Sequence, residues 1–197
     1  MLVVAGLDRC AGCGIAGPAL CAPCRHRAVL CPPLDPPPPL RRLSAGFLYE
    51  GAPRELVLGL KLHGLRGNAA PLADALCRNA WRDGLSGRVV TWVPGTPGDV
   101  RRRGYDHAEV LARAVAARLG LPAARLLGLQ GPKMDQTGLS AAQRRQNPKG
   151  AFVARPVGGE VVIVDDVMTT GTTICTCARA LRGAGARTVE GLVGCRA

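Results

Sequence analysis

Asp165 and Asp166 are followed almost at once by Thr169, Thr170, Gly171, Thr172 and Thr173, so two carboxylates stand beside a loop of hydroxyls and backbone N–H groups. Carboxylates accept from hydroxyls and repel anions. A Thr/Gly loop that opens a helix does the opposite, because its free N–H groups and the helix dipole attract an anion. Gly171 lets a ligand approach the backbone, and Thr172 or Thr173 would cap the helix while offering a hydroxyl. A ligand with hydroxyls at one end and phosphate at the other, such as a ribose 5-phosphate, meets both demands.

A second group with chemistry in its spacing is Cys10-x2-Cys13-x7-Cys21-x2-Cys24, two knuckles supplying four thiolates for one tetrahedral zinc. A four-cysteine iron–sulfur centre and free thiols are the alternatives, and Cys31 is a spare ligand nearby. With four protein ligands no coordination position stays open, so the ion is structural and holds together a segment too small for its own core. Cys77, Cys175, Cys177 and Cys195 fall on apolar faces and read as core.

The acid pair needs a strand to carry it. Val161 to Val164 are apolar without alternation, the pattern of a central strand covered on both faces, and ligands of open α/β sheets lie beyond the carboxyl ends of such strands. Strands at 42–51, 88–93, 124–129, 150–154, 160–166 and 187–193, with helices over 53–64, 69–84, 106–119 and 171–184, predict an α/β fold with a central parallel sheet flanked by helices. Residues 1–30 form a cysteine-rich zinc-knuckle segment, 31–42 a proline-rich linker, and 43–197 the main domain, with a hood region over about 43–86.

Other uses of an acid-tipped strand fit less well. A Walker-type hydrolase needs G-x-x-x-x-G-K-[ST], which is absent, and a receiver-type acidic pocket leaves the threonine loop without a role. The literal G-x-G-x-x-G at Gly12, Gly14 and Gly17 runs through the cysteine cluster into Pro18, with no helix behind it.

The stretch from Val161 to Thr173 resembles the signature of the type I phosphoribosyltransferases, which bind 5-phosphoribosyl 1-pyrophosphate (PRPP) with Mg²⁺. Together with "YEGAPRELVLGLKLHG" (49–64), "RRRGYDHAEVLA" (101–112), "GLSAAQRRQNPKGAF" (138–152) and the four cysteines, the chain resembles the ComF family from Cys10 to about Val193. That family is amidophosphoribosyltransferase-like and linked to DNA uptake in natural competence. The resemblance implies that Asp165 and Asp166 contact the ribose 2- and 3-hydroxyls and that Thr169 to Thr173 hold the 5-phosphate. It further places Pro94, Gly95 and Thr96, with Arg101, Arg102 and Arg103, at the pyrophosphate. In the family's Lys-x-x-Gly element Lys61 is expected to reach over the pocket from the hood, and the long polar segment carrying Lys133, Arg144 and Arg145 is expected to be a loop of the kind that closes over a reacting centre. One departure is Asp106-His107 where the family leads us to expect Asn-Gln, which bears on the choice of acceptor.

Composition is consistent with this picture and narrows the partners. The net charge of +12 comes almost wholly from arginine, since Lys61, Lys133 and Lys149 are the only lysines, and it favours anionic partners. No run approaches the roughly 18 apolar residues of a membrane span, and "LVVAGL" at 2–7 is short for a signal segment, so a cytoplasmic protein is expected. Two functions stay open: a Mg²⁺-dependent transferase that displaces pyrophosphate from PRPP, and a PRPP or nucleotide sensor that handles single-stranded DNA or competence proteins. Scattered aromatics argue against a base-stacking platform. A homodimer is a further partner to test.

Overall fold

The structure is a computed structural model, and it describes residues 9–129 and 152–197. Its centre is a four-stranded, fully parallel sheet in the order β1 (Arg42–Leu48), β6 (Thr188–Arg196), β5 (Glu160–Met168), β2 (Val89–Trp92). Because β5 pairs on both edges and is covered on both faces, Val161, Val162, Ile163 and Val164 are fully buried, which explains the unbroken apolar run. One face of the sheet is covered by α2 (Gly51–Leu62), α3 (Ala69–Arg82) and α5 (His107–Leu119), through Leu56, Leu60, Leu72, Leu76, Leu111 and Val115. On the other face lies α6 (Thr172–Gly183), packed through Ile174, Cys177 and Leu181.

The proline-rich stretch runs along this second face rather than away from the domain. Cys31 and Leu40 are buried there, Cys31 N donates to Gly46 O, and Arg41 N donates to Val189 O. Glu190, fully buried on β6, accepts from Ser86 N, Gly87 N and Ser86 Oγ and faces Arg41 and Arg42. A buried carboxylate needs such partners, and these pin the turn into β2.

Two elements differ from the sequence expectation. Of the expected strands at 124–129 and 150–154, the first pairs with the parallel sheet only at its start, where Val90 N donates to Pro122 O and Ala124 N to Val90 O. Their cores, β3 (Leu127–Leu129) and β4 (Phe152–Ala154), pair antiparallel with each other as a separate two-stranded unit. Each is three residues long, and they flank the undescribed stretch between them. The second difference is α4 (Pro97–Arg103), a short helix where the sequence reading saw loop and arginines. Thr96 Oγ1 accepts from Asp99 N at 3.2 Å, and Gly104 ends the helix at φ 75°. Thr-x-x-Asp with proline at the first helical position is a start signal that was available in the sequence.

The carboxyl ends of the strands crowd together around the acid pair. A Cβ on Gly194 would lie 2.6 Å from Asp166 O, a backbone atom that cannot move without separating β6 from β5. The Gly194→Ala variant is therefore expected to lose about 2–3 kcal/mol of stability, read as a lower urea midpoint with an unchanged slope.

Candidate functional site

Strand alternation sends the paired acids to opposite faces of the sheet. Asp166, 4% exposed, turns toward α2 and α5: its Oδ2 lies 3.0 Å from Lys61 Nζ and 3.2 Å from His107 Nε2, and its Oδ1 accepts from Val167 N at 2.9 Å. Asp165, half-buried, turns toward α6, and its Oδ1 accepts from Asp166 N at 2.9 Å. The environments push the two carboxyls apart. Burial and then the neighbouring Asp166 charge raise Asp165 well above the carboxylate range, with Lys61 offsetting only part. Burial also raises Asp166, but the His107 imidazole and the Lys61 charge outweigh it and hold that carboxyl below its ordinary value. The pair titrates as one unit in which Asp166 carries the charge.

Asp165 and the threonine loop share one small cavity of about 50 Å³, lined also by Val167, Met168 and Ile174. Of the residues expected to act together, Asp165, Thr169, Thr170, Gly171, Thr172 and Thr173 line this cavity, and Asp166 does not. Its details correct the expectation at one point: neither Thr172 nor Thr173 caps the helix. Gly171 is the N-cap, left-handed at φ 77°, and it makes no side-chain cap, while Thr170 and Thr172 bond each other at 2.9 Å. Thr172 N donates to Thr170 Oγ1 at 3.4 Å, and the next N–H groups of this twelve-residue helix, those of Thr173 and Ile174, face no side-chain cap from Gly171.

In the loop expected at the pyrophosphate, the donors are largely engaged. Gly95 N donates to Asp106 Oδ2 at 2.9 Å, and Thr96 is occupied capping α4. Asp106, expected near the acceptor, instead caps α5 by accepting from Ala108 N at 3.1 Å. The three arginines part ways. Arg101 is exposed, and Arg102 pairs with Asp99 at 2.8 Å on the helix surface. Arg103 turns inward and donates to Asp99 O and to Lys61 O, with Nη1 2.8 Å from His107 Nδ1. Tyr105 Oη donates to Leu60 O, fastening the same loop to the end of α2. Pro94, Gly95 and Pro97 also wall a cavity of about 410 Å³ whose far side carries Arg125 and Arg155, two cations the sequence reading passed over. Lys133, Arg144 and Arg145 lie outside the described residues.

The N-terminal cysteines converge. The Sγ atoms of Cys10, Cys13, Cys21 and Cys24 all lie within 4.8 Å of one another, with Cys10 to Cys21 at 3.5 Å and Cys13 to Cys21 at 3.8 Å. A tetrahedron of sulfurs about 2.3 Å from a single ion has edges of roughly 3.8 Å, so the donor set fits one metal ion. Gly12 N and Cys21 N each lie 3.4 Å from Cys10 Sγ, and Arg27 Nη2 lies 3.4 Å from Cys24 Sγ. Burial pushes the Cys10 thiol up, yet the N–H groups of Cys21, Cys13 and Gly12 prevail and bring it to about 6. Cys31 stands apart from this set and is packed against β1, where burial pushes its thiol up. The other cysteines are core: burial pushes Cys77 to about 11 and Cys195 to about 12, and drives Cys177 higher still. With the metal removed under native conditions, alkylation should label Cys13 and Cys21 first and leave Cys77, Cys177 and Cys195 untouched, a pattern that peptide mass mapping reads directly.

Residues 105–196 match the family model described as a phosphoribosyl transferase domain. The DNA utilization protein YhgH of Salmonella typhimurium is 33% identical over 196 residues, which covers 95% of this chain and 83% of that protein. Competence protein F of Haemophilus influenzae is 35% identical over 95 residues, 45% of this chain and 42% of that one. Among solved structures, the glutamine PRPP amidotransferase from B. subtilis aligns with a TM-score of 0.45 and 26% identity, over 64% of this chain and 26% of that chain. The near-complete coverage of a relative at this identity, together with the parallel sheet and the acid–threonine loop at its carboxyl edge, places the chain in the ComF-like family of type I phosphoribosyltransferase proteins.

Proposed function

We propose that this protein binds a ribose 5-phosphate at the carboxyl end of β5, with PRPP as the ligand and transfer of its phosphoribosyl group as the activity. The observation that carries this is the shared cavity of Asp165 and Thr169 to Thr173, an acceptor of hydroxyls beside a helix start whose dipole and second and third N–H groups suit a phosphate. Asp165 and Asp166 hold the ribose, the threonine loop holds the 5-phosphate, and Lys61 lies over the acids as counter-charge. Loss of pyrophosphate leaves positive character at C1. Orientation and the nearby carboxylates, rather than a covalent nucleophile, lower that barrier. When bound with PRPP, Mg²⁺ would supply charge that neutralises the diphosphate leaving group. The cavity between loop 94–97 and Arg125 and Arg155 is the place for that anion.

A second use of the same pocket, sensing a ribose phosphate without turnover, is favoured by one observation: the Gly95 N–H, a donor a pyrophosphate loop would offer, is already given to Asp106. Pyrophosphate release from PRPP with Mg²⁺, measured against a panel of amines and bases, separates the two. Release with any acceptor supports the transferase, and none with all of them, in protein that binds PRPP, supports the sensor.

The four thiolates hold zinc in this proposal. A single ion suits sulfurs this close, whereas a four-iron cluster holds its thiolates further apart. The strong positive charge and the names of the relatives suggest a role in DNA uptake, with single-stranded DNA or an acidic competence protein as partner. Among the described residues no helix is long and apolar enough to cross a membrane, and we place the protein in the cytoplasm.

A further inference from the structure

His107 is buried, yet nothing in the roles above uses it. Its two ring nitrogens have different partners. Nδ1 lies 2.8 Å from Arg103 Nη1, and Nε2 lies 3.2 Å from Asp166 Oδ2. A guanidinium only donates, so Nδ1 accepts and the ring proton sits on Nε2, the nitrogen beside the carboxylate. Arg103 is in turn fixed by Asp99 O at 3.1 Å and Lys61 O at 3.2 Å. The result is a continuous line from α4, which follows the pyrophosphate loop, through Arg103 and His107 to the acid on β5.

Buried polar side chains that serve only the fold are satisfied differently in this protein. Asn79 gives its amide protons to the carbonyls of Cys31, Ala45 and Gly46, and Asn68 gives one to Leu56 O. His107 instead holds its Nε2 3.2 Å from Oδ2 of Asp166, a buried oxygen with no aligned hydrogen bond among the described residues. We propose that His107 is a positioning residue of the ribose site: it fixes the plane of the Asp166 carboxylate and registers it to α4 through Arg103. This rests on the ribose phosphate reading of the pocket. The remaining charge around Asp166 comes from Lys61, whose side chain is 42% exposed and so free to move, and from Asp165. Val167 N holds Oδ1 at 2.9 Å, and among the described residues His107 is the buried side chain that stands against Oδ2, so the two together define the carboxylate plane.

The departure from the family pattern at this position now has a physical meaning. Glutamine, expected at 107, carries one acceptor and one donor on its amide and can bridge an arginine to a carboxylate as the neutral imidazole does. A side chain of similar size without polar atoms cannot.

The test uses the full-length protein and its His107→Gln and His107→Leu variants, with ribose 5-phosphate as the calorimetric probe. His107→Leu should weaken binding about tenfold to a hundredfold, in line with the cost of misplacing a binding group by an ångström. His107→Gln should stay within about threefold of wild type. In the wild-type protein, ¹⁵N spectra should show a neutral ring protonated on Nε2, a readout that needs neither variant to fold. Wild-type affinity in His107→Leu, His107→Gln as weak as His107→Leu, or a ring protonated on Nδ1 overturns the proposal. If the wild type binds no ribose phosphate at all, the pocket reading fails and takes this one with it. Binding by the wild type that His107→Leu leaves intact defeats the positioning role alone.

Discussion

The Asp165→Asn variant is expected to melt above the wild type at neutral pH while losing its affinity for ribose 5-phosphate. Asp165 is half-buried beside the Asp166 carboxylate, and both burial and that neighbouring charge oppose its ionisation. A carboxyl whose folded pKa is raised contributes stability that is complete below the unfolded value of about 4 and is lost as pH rises toward the folded one. Asparagine keeps an oxygen to accept from Asp166 N, as Asp165 Oδ1 does at 2.9 Å, and has no proton to lose. The gain should be absent near pH 4 and grow above it to about 1 kcal/mol, or about 2–4 °C in Tm for a chain of this size. Asp166→Asn should do the reverse. That carboxylate is held below its ordinary value by His107 and Lys61, so its contribution is present above pH ~4 and vanishes as pH falls through the folded pKa. Removing it strands the His107 proton and the Lys61 ammonium, and a loss of about 2–3 kcal/mol at pH 7 follows. Adjacent acids with opposite effects on stability are what a ligand site that trades stability for binding requires. Thermal scans from pH 4 to 8 on both variants check the signs.

Removal of the metal is the other large effect. The cysteine module is not an appendage with its own core, because Cys10, Leu20 and Cys24 are buried in the same cluster as Phe47, Leu56, Leu72 and Leu76. Gly12 is fitted so closely that a Cβ there would lie 2.8 Å from Cys24 Sγ and 2.9 Å from Ala52 Cβ. Without the ion, four sulfurs at this spacing repel once ionised, and the loss disturbs the core residues Cys10, Leu20 and Cys24 that the segment contributes. Chelation at neutral pH should release about one equivalent of zinc and lower stability by at least about 3 kcal/mol. Since the module covers the α2–α3 side of the sheet, the loss should appear in the global transition, and Cys13→Ser should reproduce most of it. Elemental analysis showing iron, or a melting curve indifferent to chelation, would contradict this.

The sequence exposed most where one residue type answers to one physical demand. Val161 to Val164 read as a central strand because a strand covered on both faces tolerates no polar residue, and the threonine loop read as an anion site because a helix start leaves N–H groups free. The cysteine spacing announced a tetrahedral set for the same reason. What stayed hidden depends on partners far apart in the chain. That Asp165 and Asp166 part company follows from Lys61 and His107 arriving from two other helices, 105 and 59 residues from Asp166. Arg101, Arg102 and Arg103 are indistinguishable in sequence, and only the phase of α4 makes Arg103 the inward one. The pairing of β3 with β4 was misjudged for a similar reason, since three-residue strands have no pattern of their own to show which sheet they enter. Asp106-His107 was visible as a departure, but its meaning needed Gly95 and Asp166 in view.

A ribose 5-phosphate seated at the carboxyl end of β5, against Asp165 and the threonine loop with Asp166 on the other face of the strand, is the reading on which the rest depends. Calorimetric titration of PRPP with Mg²⁺ into the wild type and into a variant carrying both Asp165→Asn and Asp166→Asn tests it most directly. Saturable one-site binding to the wild type, lost in the doubly substituted protein while its fold persists by circular dichroism, is the result expected. No binding to the wild type, or equal binding to both proteins, would show that the carboxyl end of β5 is not where the sugar phosphate sits.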